Sequence, residues 1–441
     1  MADAPNVVFF FSDQQRWDTC GCYGQSLDVT PNLDRMAAEG VRFEHAFTCQ
    51  PVCGPARAAL QTGKYPEAVG CWRNNIHLPQ DQKTIAHWFT EWGYQTAYVG
   101  KWHLASGPQP ELNHREKPIP KQYRGGWDWW CASDVLEFTS HSYDGHMFRA
   151  DGSIYEFPEG RYRVDAVTDV AIEFLQRRDD RPFLLFVSYI EPHHQNDHNC
   201  YEGPTGSAER WANYEVPGDL VGTEGDWREN YPDYLGCCHA LDGALGRIRD
   251  ELADQGIGDE TLVIYTSDHG SHFRTRNAEY KRSCHDGCLR IPLVACGPGF
   301  TGGHVVEELV SLIDLPATLL QAAGIPVPDV YHGRALQPLV DGGAQDWPQE
   351  VFAQISESQT GRCVRTARWT YSVSVPEVGA RSDVYFEEYL YDNEADPHQR
   401  MNLVLDPAYA DVRTQLRQTL RQRMAEAGER MPVTIVPARD D

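Results

Sequence analysis

Strand-like segments alternate along the chain with segments whose apolar residues recur at helical spacing. The strand-like segments cover residues 7–11, 95–99, 182–189 and 261–265, and residues 7–11 form a continuous apolar run. Such runs are typical of strands that are buried on both faces of a parallel sheet. The helical segments between them are 30–39, 84–92 and 167–176, and the first begins at a Thr-Pro pair and stops before Gly40. The alternation predicts an α/β fold with a large mixed, mostly parallel sheet flanked by helices.

The C-terminal part of the chain follows a different pattern. A composition shift near residues 342–343 precedes two segments with strand-like alternation, 362–375 and 383–391, and an amphipathic stretch at 408–431. We therefore predict a main domain at 1–343 and a smaller domain at 344–441, made of an antiparallel sheet and a terminal helix. Residues 107–160 lack periodicity, and we expect them to form a long loop over the functional face.

Charge and cysteine content narrow the class of protein. The 441 residues include 39 basic and 64 acidic side chains, a net charge of −25, which argues against nucleic acid or an anionic membrane as a partner. No apolar run is long enough to span a bilayer. The N-terminus has neither a basic region nor a cleavage site, so we expect a cytoplasmic protein. The thirteen cysteines include close pairs and predict mostly reduced thiols.

Two aspartates each follow a predicted buried strand. Asp13 comes directly after the first strand and Asp268 after the strand that begins near residue 261. Ligands bind at the carboxyl ends of strands in open α/β sheets, so we expect the two carboxylates to converge there. With Gln14 and His269 beside them, they predict an oxygen-rich site for one divalent metal. The alternative is that each aspartate only caps a helix.

A motif around Cys53 suggests the chemistry. Cys53 is followed by proline at +2, Arg57 at +4 and Thr-Gly at +9 and +10. This stretch resembles the signature of type I sulfatases, in the alkaline phosphatase superfamily. The resemblance implies that a formylglycine-generating enzyme oxidises Cys53 to formylglycine, whose hydrate serves as a covalent nucleophile. The alternative for a lone cysteine is a small buried hydrophobic residue.

The resemblance continues along the rest of the chain. Gly-Lys-Trp-His at 100–103, Pro-His at 192–193, a lysine before Arg-Ile-Pro-Leu at 290–293, and Leu-Tyr-Asp at 390–392 all match the family. The family roles are to hold the modified cysteine, bind the sulfate, and move protons to and from the reacting oxygens. The residues to which the resemblance assigns these roles are Cys53, Arg57, Lys101, His103, His193 and Lys281.

The metal ligands implied by the resemblance depart from the commonest pattern. They are Asp13, Gln14, Asp268, His269 and the modified Cys53. Many sulfatases carry an aspartate in place of Gln14 and an asparagine in place of His269. The pair found here resembles a branch that includes choline sulfatases and phosphonate monoester hydrolases. We favour Ca²⁺ slightly and leave Mn²⁺ open.

Four residues are candidates for substrate contact: His194, His285, Asp286 and Trp127. Trp127 could instead belong to the core, and Cys284, His285 and Cys288 could instead form a zinc site. The predicted function is hydrolysis of a sulfate monoester of a small carbohydrate or aryl alcohol. The alternatives are a phosphonate monoester or phosphodiester hydrolase on the same site, and a non-catalytic binder of sulfated glycans. The oligomeric state is not predicted.

Overall fold

The computed structural model describes residues 4–438, and a ten-stranded sheet forms the centre of the larger part. Its strands are β1 (Asn6–Ser12), β2 (Val41–Phe47), β3 (Gln95–Lys101), β4 (Trp129–Ser133), β5 (His146–Arg149), β6 (Ile154–Glu156), β7 (Phe183–Ser188), β8 (Thr261–Ser267), β9 (Leu293–Cys296) and β10 (His304–Ser311). Their spatial order is β10-β2-β9-β8-β1-β7-β3-β4-β5-β6. The central strands β8, β1, β7, β3 and β4 run parallel, and β9, β5 and β6 pair antiparallel.

Helices cover both faces of this sheet, and the C-terminal helix packs on a second sheet. They are α1 (Pro31–Glu39), α2 (Cys53–Thr62), α3 (Pro66–Val69), α4 (Ile85–Glu91), α5 (Leu136–Thr139), α6 (Arg163–Arg177), α7 (Ser207–Arg210), α8 (Trp227–Asp254), α9 (Asp286–Leu289), α10 (Leu315–Ala322), α11 (Gln337–Val340) and α12 (Ala410–Glu426). In β1, Phe9 and Phe11 face a core that includes residues of α2, α4 and α10. Val8 and Phe10 face a second core, formed with α1, α6 and α8. This two-sided burial explains the uninterrupted apolar run.

A second, five-stranded sheet follows residue 343. Its strands are β11 (Glu350–Ile355), β12 (Thr360–Thr366), β13 (Trp369–Val375), β14 (Val384–Asp392) and β15 (Thr434–Val436), adjacent in that order. The first four pair antiparallel and β15 runs parallel to β14. Helix α12 buries Leu416, Leu420 and Met424 against the sheet. The predicted fold class is confirmed, whereas the domain boundary at 343 stays a prediction.

The prediction of a long loop at 107–160 is wrong in one respect. The segment contains β4, β5, β6 and α5, and β4 extends the main sheet by pairing with β3. These strands have five, four and three residues, too few for a period to stand out from the sequence. Separately, no helix formed by residues 4–438 is both long and apolar enough to cross a membrane.

Candidate active site

The carboxyl ends of four adjacent strands bring the candidate residues together. Asp268 follows β8, Asp13 follows β1, Ser188 ends β7 and Lys101 ends β3. Cys53 is the first residue of α2 and lies against the same group. All five side chains are buried. The site therefore lies where the topology of an open α/β sheet predicts a ligand.

Cys53 is at the centre of this group. Its Sγ lies 3.3 Å from Asp13 Oδ1 and 3.3 Å from His269 Nε2, and Lys281 Nζ donates to it at 2.8 Å. The residue is 1% exposed. Burial, together with the charge of Asp13, raises the pKa of the thiol to about 12. An unmodified Cys53 is therefore protonated near neutral pH and is a poor nucleophile.

The two carboxylates differ in their surroundings. Asp13 Oδ2 accepts from Arg57 at 3.0 Å and lies 2.9 Å from Lys101 Nζ. Although burial favours the neutral acid, the charge of Lys101 and the neighbouring cations holds the pKa of Asp13 well below its usual value. For Asp268, burial and the nearby charge of Asp13 raise the pKa to about 7. One oxygen of Asp268 accepts from the backbone N–H of Gln14 at 2.9 Å, and the other has no hydrogen-bond partner among residues 4–438.

These acids belong to a group that fits a divalent cation. Asp13, Cys53, Asp268 and His269 each offer one ligand atom, and the four atoms lie within 4.8 Å of one another. His269 Nδ1 is 2.9 Å from the carbonyl oxygen of Gly270, an arrangement that leaves Nε2 as the ligand atom. A buried carboxylate oxygen without a donor is costly unless a cation is bound. The residues therefore suit one divalent metal ion.

Gln14 lies beside this group but is oriented by other contacts. Its Nε2 donates to the Tyr201 hydroxyl at 2.8 Å, so the atom it could offer to a cation is its carbonyl oxygen. Its backbone has a φ of 69°, a left-handed conformation that is uncommon outside glycine. Its role as a ligand stays a prediction.

Cationic side chains surround the group. Arg57 donates to the Lys101 carbonyl oxygen at 2.8 Å and to Ser188 Oγ at 2.6 Å, in addition to Asp13. Lys281 Nζ lies 3.2 Å from His193 Nε2 as well as 2.8 Å from Cys53. The site thus offers three buried cations to an anionic substrate, at positions fixed by hydrogen bonds.

Burial favours the neutral form of two histidines near the site. Burial and the charge of Lys281 hold the pKa of His193 well below its usual value. Burial and the charge of Lys101 do the same for His103. Nδ1 of each ring has no hydrogen-bond partner among the described residues. A neutral imidazole can accept a proton at one ring nitrogen and donate one from the other, so both directions of proton transfer are open to these residues.

Sequence reasoning missed two residues of this site. Glu137, in α5, lies 3.2 Å from Lys101 Nζ and is buried. Ser188 holds the guanidinium of Arg57. The position of Ser188 at the carboxyl end of a buried strand was a usable signal. Glu137 had none, because it lies in the segment where the pattern was too weak to predict any element.

The four candidates for substrate contact lie outside the hydrogen-bonded network around Cys53. His194 packs on Tyr280, with ring centroids 4.3 Å apart. His285 Nε2 lies 3.1 Å from the Tyr391 hydroxyl. Asp286 accepts two hydrogen bonds from Arg365, at 3.0 and 2.9 Å, which tie α9 to the small sheet. Contact of these three with substrate stays a prediction.

The structure bears on two alternatives raised by the sequence, the position of Trp127 and a zinc site at Cys284, His285 and Cys288. Trp127 is 2% exposed, lies in the core beside Tyr98, and donates its Nε1–H to Gln61 at 3.1 Å. It presents no ring face to a substrate, so the structure favours the core alternative. Cys284, His285 and Cys288 do not form a metal-ligating group within residues 4–438, which removes the support for zinc at that position.

Comparison with known proteins identifies the family. The family model described as Sulfatase matches residues 5–325. The chain belongs to the sulfatase family. The model for the C-terminal region of N-sulphoglucosamine sulphohydrolase matches residues 278–426. The resemblance seen in the sequence is thereby confirmed, and this sulfatase is a sulfuric-ester hydrolase of the alkaline phosphatase superfamily.

Relatives and solved structures cover nearly the whole sulfatase chain. An ulvan-active sulfatase of Formosa agariphila is 29% identical, over 96% of this chain and 82% of its own. An N-acetylglucosamine-6-O-sulfatase of Bacteroides thetaiotaomicron is 26% identical, over 97% and 88%. The structure of the sulfatase yidJ of Bacteroides fragilis has a TM-score of 0.83 at 23% identity, covering 97% of both chains. A phosphonate monoester hydrolase of Agrobacterium radiobacter has a TM-score of 0.70 at 22% identity, covering 96% of both. These two structures share the fold.

Proposed function

We propose that this sulfatase hydrolyses a sulfate monoester of a carbohydrate or aryl alcohol, with formylglycine derived from Cys53 and one divalent cation. The observation that carries the proposal is the position of Cys53 Sγ, 2.8 to 3.3 Å from Lys281, Asp13 and His269. A side chain at that position contacts one cation, Lys281, and two candidate metal ligands, Asp13 and His269. The N-acetylglucosamine-6-O-sulfatase among the relatives supports a sulfated sugar as substrate.

The environment of Cys53 argues for its modification. The pKa of the thiol, raised to about 12, leaves almost no thiolate at neutral pH. Formylglycine, as its hydrate, supplies a hydroxyl nucleophile and a second hydroxyl through which sulfate can be released. Lys281 and His269 already contact the Sγ atom and would hold the group that replaces it.

The divalent cation would be held by Asp13, Asp268, His269, the side-chain amide oxygen of Gln14 and the group that replaces the Cys53 thiol. It would supply positive charge for the sulfate oxygens and the nucleophile. The mostly oxygen-based ligand set favours Ca²⁺. The single imidazole also suits Mn²⁺, which we retain as the alternative.

The cations and histidines of the chain supply the rest of the chemistry. Arg57 and Lys101 fix the carboxylate of Asp13 and place positive charge where the sulfate binds. Lys281 donates to Nε2 of neutral His193, so this pair can deliver a proton to the departing alcohol oxygen. Neutral His103 can accept a proton from the nucleophile.

A phosphonate monoester or phosphodiester hydrolase is the second candidate. The phosphonate monoester hydrolase of Agrobacterium radiobacter shares the fold, and a phosphoryl centre has the same tetrahedral shape as a sulfuryl centre. Gln14 and His269 resemble a branch that includes both choline sulfatases and phosphonate monoester hydrolases, so this pair does not favour one candidate over the other. Membership of an enzyme family weighs against the non-catalytic binder, which we do not retain.

The test is a paired assay on protein produced together with a formylglycine-generating enzyme. Mass analysis of the Cys53 peptide should show a loss of about 18 Da. With Ca²⁺ or Mn²⁺ present, kcat/KM should be higher for an aryl sulfate than for the matching aryl phosphonate monoester. Cys53→Ala serves as the control and should retain its fold without turnover. Faster hydrolysis of the phosphonate by modified protein would reverse the order of the two candidates.

A further inference from the structure

Two loops beside the active site bring together three side chains that can ligate a metal. His141 follows α5, while Asp197 and His198 lie four and five residues after His193. His141 Nε2 is 2.8 Å from Asp197 Oδ2, and His198 Nε2 is 4.0 Å from the same oxygen. Each of the three offers a ligand atom within 4.8 Å of the others. Together with Asp144 and Glu202 we call these residues the rim cluster.

The other ring nitrogens of the rim cluster also face carboxylates. His141 Nδ1 lies 3.4 Å from Asp144 Oδ1, and His198 Nδ1 contacts the carboxylate of Glu202. Glu202 keeps the proton of His198 on Nδ1 and leaves the lone pair on Nε2. His141 Nε2 instead donates to Asp197 in the metal-free protein, so an ion must displace that proton, and Asp144 stands beside the Nδ1 that then carries the ring proton. This carboxylate–histidine arrangement is the one that orients imidazoles for metal binding.

We propose that His141, Asp197 and His198 bind a divalent transition metal ion such as Zn²⁺. Two imidazole nitrogens and one carboxylate are a ligand set that suits zinc, nickel or copper better than calcium. This distinguishes the rim cluster from the oxygen-rich group around Asp13. The site does not depend on which ester the enzyme hydrolyses.

The imidazole rings of His141 and His198 must rotate when the ion binds. The two imidazole rings are stacked, with centroids 4.3 Å apart and planes 10° from parallel. The lone pair of a ring nitrogen lies in the plane of its ring, so both rings must tilt to share one ion. The side chains of His141 and His198 are 36% and 48% exposed, so no core packing opposes that rotation.

A metal at the rim cluster would connect to the active site through one buried side chain. Gln195 Nε2 donates to Asp197 Oδ1 at 2.8 Å and to the Glu137 carbonyl oxygen at 3.0 Å. Glu137 in turn contacts Lys101. Binding would therefore clamp the loop that carries His193 against α5, which lies beside Lys101.

The experiment is a Zn²⁺ titration of the full chain by calorimetry after removal of metals with a chelator. Asp268→Asn is the parent protein for this comparison, because it weakens the active-site metal group and leaves the rim cluster intact. In that parent, His141→Ala and His198→Ala should each weaken binding at the rim cluster at least tenfold. His304→Ala, at an exposed histidine of β10, should bind as the parent does. Zn²⁺ should also raise the Tm of the parent but not of the two cluster variants.

Each outcome decides the proposal. A zinc site that is present in the parent and lost in both cluster variants supports it, provided that the metal-free variants melt with the parent. Zinc binding of equal affinity in the parent and both variants, or no binding by the parent at submillimolar Zn²⁺, would overturn it. In either of those cases His141 and His198 form only surface ion pairs with the neighbouring acids.

Discussion

Replacing Arg57 by methionine tests how far the site depends on its buried charges. The guanidinium is 2% exposed and donates to Asp13, to the Lys101 carbonyl oxygen and to Ser188. Methionine has a similar length but no donor, so Arg57→Met leaves three buried acceptors without this partner. Lys101 still lies 2.9 Å from Asp13, and the aspartate is therefore not left entirely uncompensated.

The magnitude follows from these contacts. A hydrogen bond to a charged group contributes about 1.5 to 3 kcal/mol and one between neutral groups about 1 kcal/mol. Breaking a buried ion pair costs about 3 to 5 kcal/mol when the remaining charge has no other partner. Because Lys101 remains, we expect Arg57→Met to lower the free energy of unfolding by about 3 kcal/mol. Arg57→Lys keeps the charge and should cost about half as much.

The assay is urea unfolding of metal-free protein followed by circular dichroism, with sulfatase turnover measured in parallel. Arg362 is the matched control: it lies in β12, is buried, donates to Glu429 at 2.6 Å, and lies outside the active site. Arg362→Met should lose comparable stability and retain turnover below its melting range, whereas Arg57→Met should lose both. Stability of Arg57→Met within 1 kcal/mol of the wild type would refute the reasoning.

Three further outcomes are expected. Trp127→Ala should lower the free energy of unfolding by about 3 to 5 kcal/mol and leave KM unchanged, as measured by urea unfolding and steady-state kinetics. Metal-free Asp268→Asn should be more stable than the wild type at pH 8, on the order of 2 kcal/mol, but not at pH 4. The reason is that the folded-state pKa of Asp268, about 7, exceeds its ordinary value of 3.8, so ionisation costs stability as pH rises between them. Glu137→Gln should lower kcat roughly tenfold through a less fixed Lys101, with KM little changed.

Each of these three variants has a result that would contradict the expected outcome. A raised KM at unchanged stability would mean that Trp127 contacts the substrate. Equal stability of Asp268→Asn and the wild type at pH 8 would mean that neither burial nor the charge of Asp13 penalises the ionised Asp268. An unchanged kcat in the Glu137 variant would mean that Asp13 alone orients Lys101.

The main sheet and the centre of the site could be predicted because each depends on short-range patterns. Apolar runs identified β1, β7 and β8, and their carboxyl ends identified Asp13 and Asp268 without any motif. Cys53, Lys101 and Lys281 came from the resemblance to the family, and the structure places all three within one network of contacts. Lys101 ends β3, whereas Cys53 begins α2 and Lys281 lies in the loop after β8, so only the first could be placed from a strand end.

The remaining contacts depend on tertiary packing that the sequence does not encode locally. His193 faces Lys281 while His194, one residue later, packs on Tyr280. Two residues that are adjacent in a loop can therefore have side chains that point to different parts of the protein. Glu137 reaches Lys101 only because the short strand β4 pairs with β3 and carries α5 to the strand ends. No pattern in a segment of such short strands predicts that placement.

The burial of α2 has a consequence for the order of events during biosynthesis. All ten residues from Cys53 to Thr62 are buried, and the helix packs under the main sheet. A modifying enzyme must hold the peptide around Cys53 in an accessible form, which the finished fold does not offer. The proposed oxidation is therefore in kinetic competition with folding. A chain that folds first would be trapped as a stable but inactive molecule, so the active fraction of a preparation should depend on the rate of synthesis relative to the supply of the modifying enzyme.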